Sequence, residues 1–373
     1  MPRIYRGARD KPRRALREIL LLDHHASRHK RLILVPIALL ASLVSASLCA
    51  SDFERAEALF KKGELAQAEA LYSGIAPADP NYPQALLRLG KIFYVTGRPG
   101  PAEEKFQAYL KLHQSAEAYC LLGGARFNQK KFAEAYDSAQ RSLQLDPAYA
   151  KAYTVLGMID TALGNRPDAK SAYQQALRLS PRDADTWYML GRSYFLWDEF
   201  GEAKEAFQAS LRLDPDQVRA YENLSWTLDL LNEPAEAERN YREGIRASEL
   251  RKSTDPHIYI AFGKFLSKHG RAAEGVAEMR AAVQVAPSDS EAHYELANQL
   301  FDAKDLSEAR KEGETALLLG SADYRVAYLL ARICTALGDS PAASKYAQVA
   351  ARLAQNNPAG EASRDSASSF TRQ

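Results

Sequence analysis

The feature that most restricts this chain is a motif that returns about every 34 residues. A small residue stands at Ala56, Gly90, Gly123, Gly157, Gly191, Ser225, Gly263, Ala297 and Ala331, at spacings of 34, 33, 34, 34, 34, 38, 34 and 34. Twelve positions after each comes a second small residue: Ala68, Ala102, Ala135, Ala169, Ala203, Ala237, Gly275, Ala309 and Ala343. A period of this length marks an array in which each unit is one supersecondary element that buries its apolar face only by stacking on its neighbours.

Each unit reads as two helices. Directly before the first small residue stands Leu89, Leu122, Leu156, Leu190, Leu224, Phe262, Leu296 or Leu330, with Arg55 the one departure, and an aromatic or apolar residue often opens the helix three positions earlier, as at Tyr153, Trp187 and Tyr221. That spacing places both on one helical face. Pro99, Pro167, Pro234 and Pro341 fall where the second helix begins, in a first turn whose amide has no helical partner to lose. Pro147, Pro181, Pro215 and Pro287 follow the second helix and stop it. Small residues on both helices predict the point where the two cross closely. The 38-residue step leaves four extra residues, which fit around Ser248–Pro256 as a longer helix or a bulge.

The pattern resembles the tetratricopeptide repeat. Its signature of Trp, Leu-Gly, Tyr, Ala, Phe and Pro is met by Trp187, Leu190, Gly191, Tyr194, Ala203, Phe207 and Pro215, with Ser210 in place of one Ala. The resemblance implies an all-α fold, a right-handed superhelical solenoid of about nine stacked helix-turn-helix repeats over residues 51–355, followed by a flexible tail at 356–373. It also implies a concave groove lined by the first helices, which puts Phe53, Phe60, Lys91, Tyr94, Phe127, Tyr188, Arg192, Phe195, Arg219, Trp226, Lys264, Tyr294, Asn298, Phe301, Arg325, Tyr328 and Arg332 on the inner face. Aromatic and arginine side chains are frequent interface anchors, so the expected ligand is an extended or helical peptide of a protein partner. Aromatics at helical spacing equally suit packing between units, and periodicity alone does not separate those two faces. The Lys and Asn set with which some repeats of this kind clamp a carboxylate terminus is absent as a set, since Asn298 is accompanied by Tyr294 and the next unit offers Leu329.

The formal charge of +2 averages two unlike regions. Residues 1–31 hold ten Lys or Arg against three carboxylates, a net +7, which leaves −5 for the remainder and gives no reason to expect nucleic-acid binding. The basic leader runs into an apolar stretch from Leu32 to Val44 and then small residues up to Ser51. Residues 32–50 therefore read as the apolar core and cleavage zone of an export signal, or as an amino-terminal membrane anchor. Either outcome places the body outside the cytoplasm, periplasmic or secreted. Cys49 follows a bulky Leu48, which argues against lipidation, and three cysteines so far apart imply neither a disulfide framework nor a metal site.

No phosphate-cradling glycine loop, HExxH, paired CxxC or Gly-x-Ser-x-Gly elbow occurs, so no catalytic residue, cofactor or metal is expected. The resulting expectation is a non-catalytic, exported scaffold for protein interaction, placed in an envelope assembly such as secretion, pilus or polysaccharide machinery. A carbohydrate or wall-polymer binder using aromatic platforms is the alternative. An enzyme would need titratable groups converging across several first helices, where the sequence offers Glu57, Glu117, Asp185, Glu222 and Glu291.

Overall fold

The computed structural model describes residues 51–320 and 323–356. The leader, Cys49, the stretch 32–50 and the tail beyond Asn356 lie outside them. Eighteen helices are described, with no strand among these residues. The first helices of successive pairs are α1 (Asp52–Lys62), α3 (Tyr82–Val95), α5 (Ala116–Asn128), α7 (Ala150–Leu163), α9 (Ala184–Leu196), α11 (Val218–Leu230), α13 (His257–Lys268), α15 (Ser290–Asp302) and α17 (Tyr324–Ala336). Their partners are α2 (Leu65–Ser73), α4 (Pro99–Leu112), α6 (Phe132–Leu145), α8 (Arg166–Leu179), α10 (Phe200–Leu213), α12 (Pro234–Leu250), α14 (Ala272–Val285), α16 (Leu306–Leu318) and α18 (Ser340–Asn356). The chain divides into two compact units, up to Ala85 and from Leu86 onward. The first contains the α1–α2 hairpin, in which Phe53 meets Tyr72 edge-on and the Tyr72 hydroxyl donates to Glu57 at 2.6 Å. The second is a stack of hairpins of the solenoid type.

One turn joins the helices of every pair. The residue seven positions after each small residue has positive φ: Gly63, Gly97, Lys130, Gly164, Asp198, Asn232, Gly270, Lys304 and Gly338. The amide after it donates back across the helix end, as Glu199 N–H does to the Tyr194 carbonyl and Lys131 N–H to that of Arg126, both at 3.0 Å. This is the Schellman closure, which satisfies carbonyls left open by the last turn. Its repetition lets Lys130, Asp198, Asn232 and Lys304 occupy a conformation that favours glycine. The second helices end two residues before the expected prolines, on Leu145, Leu179, Leu213 and Val285, and the residue between, Asp146, Ser180, Asp214 or Ala286, has φ of −142°, −137°, −131° and −131°. A residue preceding proline is pushed out of the helical region, so the stop is steric.

All nine small residues of the first helices are buried. Their neighbours refine the expected crossing. A Cβ on Gly191 would lie 2.7 Å from Phe207 Cδ1, one on Gly157 2.9 Å from Tyr173 Cδ1, and one on Gly90 2.6 Å from Phe106 Cδ1. The glycine thus makes room for a ring sixteen positions later on the second helix, and Phe106, Tyr173 and Phe207 are among the most deeply buried side chains. In the pair α13–α14 two glycines meet instead, a Cβ on Gly263 falling 2.9 Å from the Gly275 carbonyl. Three of the four extra residues go into α12, which has 17 residues against 14 in α10, and Arg251 beyond its end reaches Asp214 and Asp216 at 3.6 and 3.9 Å.

Charge pairs repeat across the junctions. A residue of one second helix meets the residue opening the next: Glu103 with Lys131, Lys170 with Glu199, Lys204 with Glu233, Glu238 with Arg271 and Arg310 with Asp339, all at 2.5–3.0 Å. The sign is reversed in both members of the first and fourth pairs. Glu103 is the most enclosed, its carboxylate also receiving Arg126 at 2.8 Å and Gln129 at 2.9 Å. Cys120 and Cys334 are free and buried, and no described helix is long and apolar enough to cross a membrane.

Two outcomes test this packing. Gly191→Ala should lower stability by roughly 1–3 kcal/mol through overpacking against Phe207. Gly201→Ala, whose Cβ would meet nothing within 4 Å, should be neutral or stabilising by up to about 1 kcal/mol in the same denaturant titration. For Glu103, burial raises the carboxyl pKa but the donors Lys131, Arg126 and Gln129 outweigh it and hold it at about 2. A depressed folded value stabilises above the ordinary carboxylate range and is lost as pH falls toward 2, so Glu103→Gln should cost roughly 3 kcal/mol at neutral pH, with the deficit shrinking between about pH 5 and pH 2 in thermal melts.

Candidate functional site

Curvature identifies the inner face. In the second unit, successive first helices from α5 to α17 touch one another directly, whereas no two successive second helices make comparable contact. Elements that approach most closely lie on the inside of a bend, so the first helices carry the concave side.

The structure sorts the expected groove residues into three groups. Tyr94, Phe127 and Tyr188 are turned largely into packing. Tyr94 leans over Gly124 of the next first helix, where a Cβ would lie 2.8 Å from its hydroxyl, and burial pushes its phenol up. Phe127 packs on Phe132 at 5.7 Å between ring centres. Tyr188 is 7% exposed, set against Phe207, and its hydroxyl accepts a hydrogen bond from Asn223 Nδ2 at 3.2 Å. A second group is neutralised by carboxylates: Lys91 by Glu117 of the next unit at 2.6 Å, Lys264 by Glu295 of the next unit at 2.5 Å, and Arg325 by Asp323 at the start of its own helix and Glu291 of the preceding unit at 2.6 and 3.4 Å. Phe60 belongs to the first unit and is half-buried there.

The third group presents surface. Trp226 is 42% and Tyr328 57% exposed, and Arg219 and Arg332 are exposed. Around α9 and α11, Phe195 packs on Trp226 with ring centres 5.3 Å apart, and Arg192 lies over Tyr188 at 5.8 Å. Around α15 and α17, Arg332 lies 4.7 Å over Phe301 and Arg325 5.0 Å over Tyr294, with Asn298 half-buried beside them. Cation–π placement of this kind fixes long side chains that would otherwise lose entropy on binding.

Two features escape the repeat consensus. Leu196 and Leu230, exposed at 36% and 44%, extend the Phe195–Trp226 patch toward the carboxyl ends of α9 and α11. Below that patch stands Glu222, whose fellow carboxylates all have partners: Glu57 takes Tyr72, Glu117 Lys91, Glu291 Arg325, and Asp185 the Gln217 amide at 3.1 Å. Glu222 makes no hydrogen bond or ion pair with any described residue. Burial pushes its carboxyl above the ordinary range, with His257, Arg219 and Lys264 pulling the other way and Asp255 adding to the rise.

Stacked helix hairpins, one left-handed closure per unit and an inner wall of first helices define a helical repeat protein. A family model described as the cilia and flagella-associated protein 70 C-terminal domain matches residues 45–255, and a tetratricopeptide repeat model matches residues 261–323. With more than half its length in the first match, the chain belongs to that family and is a tetratricopeptide repeat protein. No curated protein matches it. Among solved structures, a chain of the APC/C hetero-tetramer Cut9-Hcn1 aligns with a TM-score of 0.53 at 16% identity, over 76% of this chain and 55% of that one. This chain thus spans about half of that protein's length. The type IV pilus biogenesis factor PilW gives a TM-score of 0.47 at 23% identity over 56% of this chain and 94% of that one. Pseudomonas aeruginosa pilF gives 0.42 at 18% identity over 65% and 92%. At such identities the first of these shows the fold alone.

Proposed function

We propose that the chain is an interaction scaffold that binds a segment of a protein partner along the inner face of its first helices, without catalysis of its own. The observation carrying this is the exposure of Trp226 and Tyr328, with Arg219 and Arg332, on the concave side of the second unit. Large amphipathic side chains keep open surface there beyond what their packing on Phe195 and Phe301 uses, and central aromatic and arginine anchors are what protein interfaces use. The carbohydrate reading draws on the same aromatics, but their interleaving with guanidinium groups favours a peptide carrying both backbone and side-chain acceptors. The enzyme reading gains a sunken acid in Glu222, yet among the described residues no hydrogen-bonded nucleophile and base stand beside it.

A photo-crosslinking amino acid at position 226 or 328 should capture a defined partner in cells, whereas one at Gln174 or Glu205, exposed on second helices, should not. Equal capture from both faces would reject the groove. The scaffold is further proposed to act outside the cytoplasm in an envelope assembly, on the strength of the basic and apolar leader. Amino-terminal sequencing of the protein from fractionated cells tests this. A start between about residues 45 and 51, or an intact start in the membrane fraction, is the expected result, and an intact start in the soluble cytosol would overturn it.

A further inference from the structure

Resting on the groove reading, we infer that the surface formed by α9, α11 and α13 receives a basic side chain, Lys or Arg, from the partner segment, its cationic head on Glu222 and its aliphatic stem on Trp226. Three observations lead there.

The first is register. Three positions before the small residue, the first helices of the second unit carry Leu87, Cys120, Thr154, Tyr188, Glu222, Ile260, Tyr294 and Tyr328. Only one of these is charged. The repeat uses this position for apolar, aromatic or hydroxyl side chains, and a carboxylate there serves no shared folding requirement.

The second is the absence of internal satisfaction. Charged groups act on Glu222 from its own helix (Arg219), from α13 (His257, Lys264) and from the segment before α13 (Asp255), but none bonds it. Lys264 is held by Glu295, and His257 lies 3.9 Å from Asp255. A partly desolvated carboxylate without a donor is costly, while exposed Arg219 keeps its water and costs little. Of the two unpaired charges, Glu222 gains more from a partner, and what it lacks is a donor.

The third is what surrounds it. Trp226 sits one helical turn further along the same face, 42% exposed, with Phe195 packed behind it and Leu196 and Leu230 open beyond. A lysine or arginine laid across this surface places its methylenes on the aromatic wall and its head at the carboxylate, joining cation–π attraction to a charge-assisted hydrogen bond. An acidic side chain would bring a second negative charge to the same spot.

The test uses the full chain labelled with 15N at tryptophan, whose three indole resonances (Trp187, Trp197 and Trp226) are assigned with W226F. Nα-acetyl-lysine amide, Nα-acetyl-arginine amide, Nα-acetyl-norleucine amide and Nα-acetyl-glutamate amide are titrated in turn. The basic amides should shift the Trp226 resonance saturably, with affinity about tenfold above norleucine. Glu222→Gln should bring them down to the norleucine level, leave norleucine unchanged, and unfold at an equal or higher temperature than the native chain. Equal affinity for lysine and norleucine, or preference for glutamate, overturns the inference while the groove reading stands on the norleucine response. Loss of stability in E222Q with the lysine preference intact assigns Glu222 to folding and overturns it as well. If no compound moves Trp226 and crosslinking from that position also fails, both readings fall.

Discussion

The contact on which the stack depends is an aromatic ring seated over a residue that has almost no side chain. Gly90, Gly157 and Gly191 each leave a recess that Phe106, Tyr173 or Phe207 fills from the facing helix. The ring brings a large apolar area into a close approach, and the glycine lets the backbones come near enough to enclose it. Because ring and recess belong to one hairpin, this contact fixes the crossing within a unit. The layer of Leu and Phe residues beside it then joins one unit to the next.

Stacking in this way determines where the chain can afford specificity. The hairpin core uses one face of each helix and the junctions with both neighbours use two more. What remains on a first helix is a narrow strip facing inward. Even this strip is partly taken by cross-unit contacts, such as Tyr94 over Gly124 and Lys91 with Glu117. The exposed aromatic surface of the first helices in the second unit is therefore concentrated around Trp226 and around Tyr328. On the outer side, the charge pairs from Glu103–Lys131 to Arg310–Asp339 oppose slippage, and the reversed signs in two of them penalise the pairing of wrong neighbours.

The period and the small residues made the fold legible because each unit repeats the same steric demand. Nine turns at a common place, including those at Lys130, Asp198, Asn232 and Lys304, follow from the same register, although composition does not announce a left-handed turn at a lysine. The site was less legible. Tyr188 and Trp226 are both aromatic residues on first helices assigned to one inner face, yet the first is locked by Asn223 and Phe207 and the second is open. Part of that difference comes from Asn223, which lies on the first helix of the next unit, where no pattern within one unit reaches it. Glu222 was visible only as one acid among five, since its lack of a partner is a property of three helices together.

Departures from a repeat fall into two kinds once the structure is known. Some are compensated close by: a non-glycine residue in a left-handed turn is held by two backbone hydrogen bonds, the longer α12 is tied back through Arg251, and Gly124 is covered by Tyr94. Those departures are closed accounts of local geometry, needing nothing from outside the chain. Glu222 is of the other kind, a charge at a position where its seven counterparts carry none, unbonded and beside exposed aromatic surface. Stability selected alone would replace it, because a neutral side chain of similar size avoids the desolvation penalty at no cost to packing. On the proposed reading a partner completes the environment of such a residue, which makes the uncompensated departure, more than any shared motif, the feature on which the recognition proposal rests.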